Sequence, residues 1–166
     1  ANLITKPMEK EADALAFNYA VQAGYNIGGG AALWQRFLDQ GSNVKTSGVM
    51  ELFNDHPTTV SRRDTYSEDI TKWSNKVVAV NTDTGMITLH GKDFYQPKDI
   101  SSMSGKEQAY LIAGNLAAVY HNNKKPSANS VYVNSSNILC IGQQPIMDLA
   151  PVANPSAVTA NLKKLL

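Results

Sequence analysis

The sequence predicts an α+β fold, helical up to about Ser74 and mixed after it. Two observations carry this. Apolar residues recur at helical spacing through three successive segments before residue 75. After it, two β-type runs, each folded around a turn signal, flank one strongly capped helix. The division predicts a helical unit over 1–74 and a small mixed α+β unit over 75–166.

Each element has a local reason. In residues 8–23, Met8, Ala12, Leu15, Ala16, Tyr19, Ala20 and Ala23 form a helical stripe expected to face a core. Pro7 suits the first turn and Gly24 the stop. Glu9 and Asp13, four residues apart, lie together at the edge of that stripe. "GYNIGGGAALWQRFLDQG" then reads as a turn and a second helix. Asn26 is its expected cap, and Leu33, Trp34, Phe37 and Leu38 its expected buried face. The glycines 28–30 lack the Lys-Ser/Thr pair of a phosphate loop and read as a turn or a close helix entry. A third helix follows Pro57, with Val60, Tyr66, Ile70 and Trp73 for its inner side; Arg62 and Arg63, taken singly, read as surface charges.

"KVVAVNTDTGMITLHG" reads as a hairpin around "NTDTG". Ser104 and Glu107 form a capping box for a helix reaching about residue 122. "SVYVNSSNILCIG" reads as a second hairpin with Cys140 buried in a strand, and Asn154-Pro155 opens a terminal helix.

The 166 residues are 43% hydrophobic and 17% charged, which supports a folded domain without disulfides. A net charge of +1 gives no electrostatic case for nucleic acid as a partner. No apolar run approaches the ~20 residues of a membrane span. "ANLITKP" lacks the basic start and apolar run of a signal peptide.

Taken together, "MEKEADALAFNYAVQAGYNIGGGAALWQRFLDQ" and "LFNDHPTTVSRRDTY" resemble zinc metallopeptidases of the HtpX and CAAX-prenyl-protease type, gluzincins of metallopeptidase family forty-eight. The family pattern is Glu-x-x-Ala-Asp on a helix, a Gly-Tyr-Asn/Asp turn, an amphipathic helix with an aromatic pair, and a Ser/Thr-His-Pro segment with an Arg six residues after the His. Glu9, Ala12, Asp13, Gly24, Tyr25, Trp34, Phe37, His56, Pro57 and Arg62 match it in order, over about residues 7 to 73. Residues 74 to 166 match no family pattern.

The resemblance implies the helical C-terminal half of a gluzincin catalytic domain. Glu9 would be the third protein ligand of a catalytic zinc, and Asp13 would hydrogen-bond a ligand imidazole. His56 would stabilise the oxyanion of the scissile carbonyl, and Arg62 would hold that region in place. The substrate class would be proteins or peptides. By the same analogy the parent belongs to the soluble, often exported branch of the family, periplasmic or extracellular in a bacterium.

The chain departs from the family where the first two ligands and the general base belong. Its histidines are His56, His90 and His121, and no two are four apart as in His-Glu-x-x-His. Two expectations follow: a portion of a longer peptidase, inactive by itself, or a non-catalytic binding or regulatory protein on a degenerate scaffold. Loss of the upstream neighbour would leave the first helix free to self-associate, as a homo-oligomer or domain-swapped dimer.

Overall fold

A computed structural model describes residues 6–41 and 58–166. The chain is α+β. In order it forms α1 (Lys6–Ala23), α2 (Gly29–Gly41), α3 (Thr59–Trp73), β1 (Val78–Val80), β2 (Ile87–Leu89), β3 (Lys92–Tyr95), α4 (Gly105–Asn122), a 3₁₀ turn (Ala128–Ser130), β4 (Val131–Val133), β5 (Ile138–Ile141), β6 (Gln144–Asp148) and α5 (Pro155–Leu165).

The central element is α4. Ser104 starts it by accepting the Glu107 backbone N–H at 3.1 Å. Its buried residues, from Ala109 and Tyr110 to Val119 and Tyr120, run around most of the helix. A helix apolar on nearly every face has to be covered on nearly every face. Helices α2 and α3 pack on one part of it, and β1 and β6 on others. One hydrophobic cluster therefore joins Ile27, Ala31, Tyr66 and Ile70 to Val78, Leu116, Leu139, Ile146 and Leu162.

Each expected hairpin extends to a three-stranded antiparallel meander, ordered β1-β2-β3 and β4-β5-β6. The third strands are poorly marked in the sequence. Strand β3 begins with two charges, and β6 carries Pro145, which is tolerated because β6 is an edge strand. Tight turns fold them back. Leu89 pairs with Lys92 across His90 and Gly91, both with positive φ (51° and 75°), the pattern of a type I′ turn. Ile141 pairs with Gln144 across Gly142, at φ 56°. Cys140 is buried in β5, as expected. In α5, Asn154 accepts from the Ala157 N–H at 3.1 Å, and Asn161 donates to the Phe94 carbonyl at 2.8 Å, tying the helix to β3.

Two helix faces differ from expectation. On α1 the residues turned inward are Asp13, Phe17, Ala20 and Val21. Of the expected inner stripe, Met8, Ala12, Leu15, Ala16, Tyr19 and Ala23 are exposed; only Ala20 packs inward. The helix is oriented by Asp13, whose partners lie on α3. On α2 the buried residues are Ala31, Ala32 and Gln35, while Leu33 and Phe37 are exposed and Trp34 and Leu38 half-buried. Small residues face α4 because the two backbones approach closely. A Cβ at Gly28 would overlap the Tyr110 carbonyl oxygen, and one at Gly114 would strike the Gly28 backbone. The glycine run is thus a close helix entry. Asn26 caps differently from expectation: its side chain accepts the Gly28 N–H at 2.9 Å and donates to the Leu111 carbonyl at 2.9 Å, while the Gly28 carbonyl takes the first helical N–H, from Ala32. On α3, Val60 is exposed, while Tyr66 and Ile70 are buried.

Among the described residues, no helix is long and apolar enough to cross a membrane.

Candidate functional site

Asp13 projects from the middle of α1 toward α3. Its carboxylate is almost fully buried and receives a two-pronged ion pair from Arg62. Arg62 Nε donates to Oδ2 at 2.8 Å, and Nη2 donates to Oδ1 at 2.5 Å. Arg62 and Tyr66 are one helical turn apart on α3, so both reach the same acid. The Tyr66 hydroxyl donates to Asp13 Oδ1 at 3.2 Å. On its other side the guanidinium lies over the Trp34 ring, 4.0 Å from the centroid. One arginine thus ties α1, α2 and α3 together.

The electrostatics follow from this packing. Burial works against the Arg62 charge. The Asp13 hydrogen bonds and charge outweigh it, helped by the Glu9 charge, so the guanidinium is held above its ordinary value. Burial, with the Asp13 carboxylate beside it, also pushes the Tyr66 phenol up, so Tyr66 stays a donor.

Glu9 stands one turn before Asp13 on α1, half-buried and close enough to Arg62 for the charges to couple. Of the residues that the motifs single out, Glu9, Asp13, Trp34 and Arg62 are therefore neighbours. His56 and Pro57 lie outside the described residues. Arg62 is placed on Asp13, and three hydrogen bonds occupy that carboxylate.

Arg63 is not a surface charge either. Its buried side chain donates to Gln35 Oε1 at 2.8 Å and pairs with Asp64. Gln35 donates to Asp39 at 2.8 Å, and Ser104 donates to the other Asp39 oxygen at 2.5 Å. Arg36 pairs with the buried Glu107 at 2.6 Å. The tandem arginines brace α3 in two directions, one toward α1 and one toward α2. Sequence reasoning misses Tyr66 as a partner of this site, and names Trp34 only as one of an aromatic pair, not as the partner of Arg62. The i, i+4 spacing of Arg62 and Tyr66 is the signal for the first; nothing local signals the second.

Zinc needs three or four protein or water ligands, with carboxylate, imidazole or thiolate donors. Among the described residues no three His, Cys, Asp or Glu side chains gather in one place. Asp13 is engaged by Arg62 and Tyr66.

Comparisons with known protein families, characterised proteins and solved structures find no match to this chain.

Proposed function

We propose that this chain is the part of a zinc-dependent metalloendopeptidase that carries the third metal ligand, Glu9, and the scaffold that holds it. The observation supporting this reading is the Asp13–Arg62 ion pair. The two halves of the motif pattern, "EKEAD" and "HPTTVSR", are far apart in sequence, and their Asp and Arg meet in a buried two-pronged contact one turn from Glu9. A metal ligand has to be held in a fixed direction, and partners behind it usually do the holding. Here Asp13, Arg62, Tyr66 and Trp34 fix the turn of α1 that presents Glu9.

In this reading Glu9 is the ligand, Asp13 and Arg62 are positioning residues, and His56 is the candidate oxyanion donor. The remaining ligands and the general base lie outside the described residues. The test is hydrolysis of a protein substrate by the natural polypeptide that contains this chain. Activity removed by a zinc chelator, restored by zinc and lost in Glu9→Gln is the expected result. A natural polypeptide with no His-Glu-x-x-His segment and no hydrolysis would overturn the reading in favour of a binding protein.

A further inference from the structure

A cleft of about 350 Å³ opens between the end of α1, the 24–27 turn, the last residue of α3, the second half of α4 and the start of β6. It is separate from the Glu9 neighbourhood and independent of the zinc reading. Its size is that of a small-molecule pocket. Its walls have an unusual chemistry.

Beside Asn26, whose amide is engaged with Gly28 and Leu111, three carboxamides line it. Asn115 donates its amide N–H to the Ile146 carbonyl at 2.9 Å, Asn122 to the Ala118 carbonyl at 3.0 Å, and Gln144 to the Pro145 carbonyl at 2.9 Å. Backbone carbonyls can only accept, so these bonds fix which end of each amide is nitrogen. The three side-chain oxygens accept no hydrogen bond from the described residues. His121 follows the same logic. Its Nδ1 lies 3.0 Å from the Trp73 carbonyl, which can only accept, so Nδ1 carries a proton. His121 also stacks on Trp73, with centroids 4.2 Å apart and planes 13° from parallel. Tyr25, also in the lining, is 75% exposed. No Asp, Glu, Lys or Arg is among the described lining residues.

This lining selects by exclusion. An anion would meet no lysine or arginine charge, and acceptor lone pairs beside each spare amide N–H. A metal ion or ammonium would find no carboxylate to replace its hydration. What the cleft can satisfy is a neutral ligand rich in O–H or N–H donors, with an apolar face for the aromatic rings. The geometry points to a binding site for a neutral carbohydrate unit, its hydroxyls donating to the carboxamide oxygens of Asn115, Asn122 and Gln144 and its C–H face lying against Tyr25 or the His121–Trp73 stack.

The test is a heteronuclear NMR titration of the chain with glucose, N-acetylglucosamine and the β-1,4-linked tetramers of each. Sodium phosphate and tetramethylammonium are the anion and cation controls. At least one saccharide should shift the amide resonances of residues 24–27, Gly114 and the Asn115, Asn122 and Gln144 side chains, and neither control should. Asn122 and Tyr25 are exposed, so Asn122→Leu and Tyr25→Ala leave the core intact. Each should weaken binding by about tenfold, the equivalent of one lost hydrogen bond or ring contact. The site is overturned by any of three results: no saccharide shifts these resonances, the shifts survive both variants unchanged, or a control ion alone reproduces them.

Discussion

Asp13 and Arg62 are 49 positions apart in the chain and joined by two hydrogen bonds of 2.5 and 2.8 Å, with Arg62 keeping about a fifth of its side-chain exposure and Asp13 about a tenth. A pair this enclosed is worth more broken than made. Arg62→Ala leaves a buried carboxylate without its cation and should destabilise the chain by ~3–5 kcal/mol. Asp13→Asn with Arg62→Ala together should cost clearly less than the two single changes added, because each single change strands the other partner. Denaturant titration of the three variants measures it. Strict additivity would mean that the contact carries no coupling.

The glycine run supplies an internal control. Gly28→Ala forces a Cβ onto the Tyr110 backbone carbonyl, which cannot swing away as a side-chain tip could. It should cost roughly 1–3 kcal/mol. Gly29→Ala, next in sequence, meets nothing within 4 Å and sits in the first turn of α2. It should be neutral or stabilising by up to ~1 kcal/mol. Thermal melts of the two variants should therefore move in opposite directions or differ by several degrees. Equal losses would show that the close approach of α2 to α4 does not decide this position.

Tyr120 gives a pH prediction. Its ring is buried edge-on to His90, and its hydroxyl has no hydrogen-bond partner among the described residues. Burial pushes the phenol up to about 12 from the usual 10. The unfolded chain then releases this proton as pH passes 10, while the folded chain keeps it until about 12. Stability is undiminished below pH 10 and falls between 10 and 12, because the unfolded state binds fewer protons there. Tyr66, also raised, steepens the same fall. Tyr120→Phe removes its share of the slope and, lacking a buried unpaired hydroxyl, should be neutral or stabilising at pH 7. Denaturant midpoints across that alkaline window read both effects, and a slope unchanged in Tyr120→Phe would contradict the assignment.

Element boundaries are the most legible part of this fold, because they are written in short-range chemistry. Ser104 with Glu107 starts α4, and Asn154-Pro155 starts α5, each from residues a few positions apart. What the sequence hides is which way a helix faces. The stripe from Met8 to Ala23 shows which residues could be buried, not whether a neighbour covers them. Asp13, a charged residue, sets the orientation of α1 through partners far away in sequence. The same holds for the site. Glu9, Asp13 and Arg62 stand out through the family resemblance, yet their mutual contact is a tertiary fact. Tyr66 reads as an ordinary core-type residue and Trp34 as one of an aromatic pair; that the first bonds Asp13 and the second lies under Arg62 is also a tertiary fact.

The exposed face of α1 should drive association. Leu15 is 46% and Tyr19 63% exposed, on the same face as Met8, Ala12 and Ala16. Apolar surface gathered in this way tends to find a partner. Sedimentation of the isolated chain should show a concentration-dependent shift to dimer or larger, and the paired change Leu15→Ser and Tyr19→Ser should suppress it without lowering the melting temperature. A strict monomer at all concentrations would remove self-association from the account.

The zinc content of the natural polypeptide that carries this chain, measured by elemental mass spectrometry, is the most direct test of Glu9 as a metal ligand. The unaltered polypeptide should hold zinc near one equivalent. Glu9→Gln, which replaces the ligand oxygen's charge without changing its size, should lose most of it. Asp13→Asn should retain zinc with an affinity lower by ~10–100-fold, as expected for a group that orients its neighbours. Glu11→Gln, on the exposed side of the same helix, should keep full occupancy. Zinc retained at full occupancy in Glu9→Gln, or absent from the unaltered polypeptide, would contradict the account.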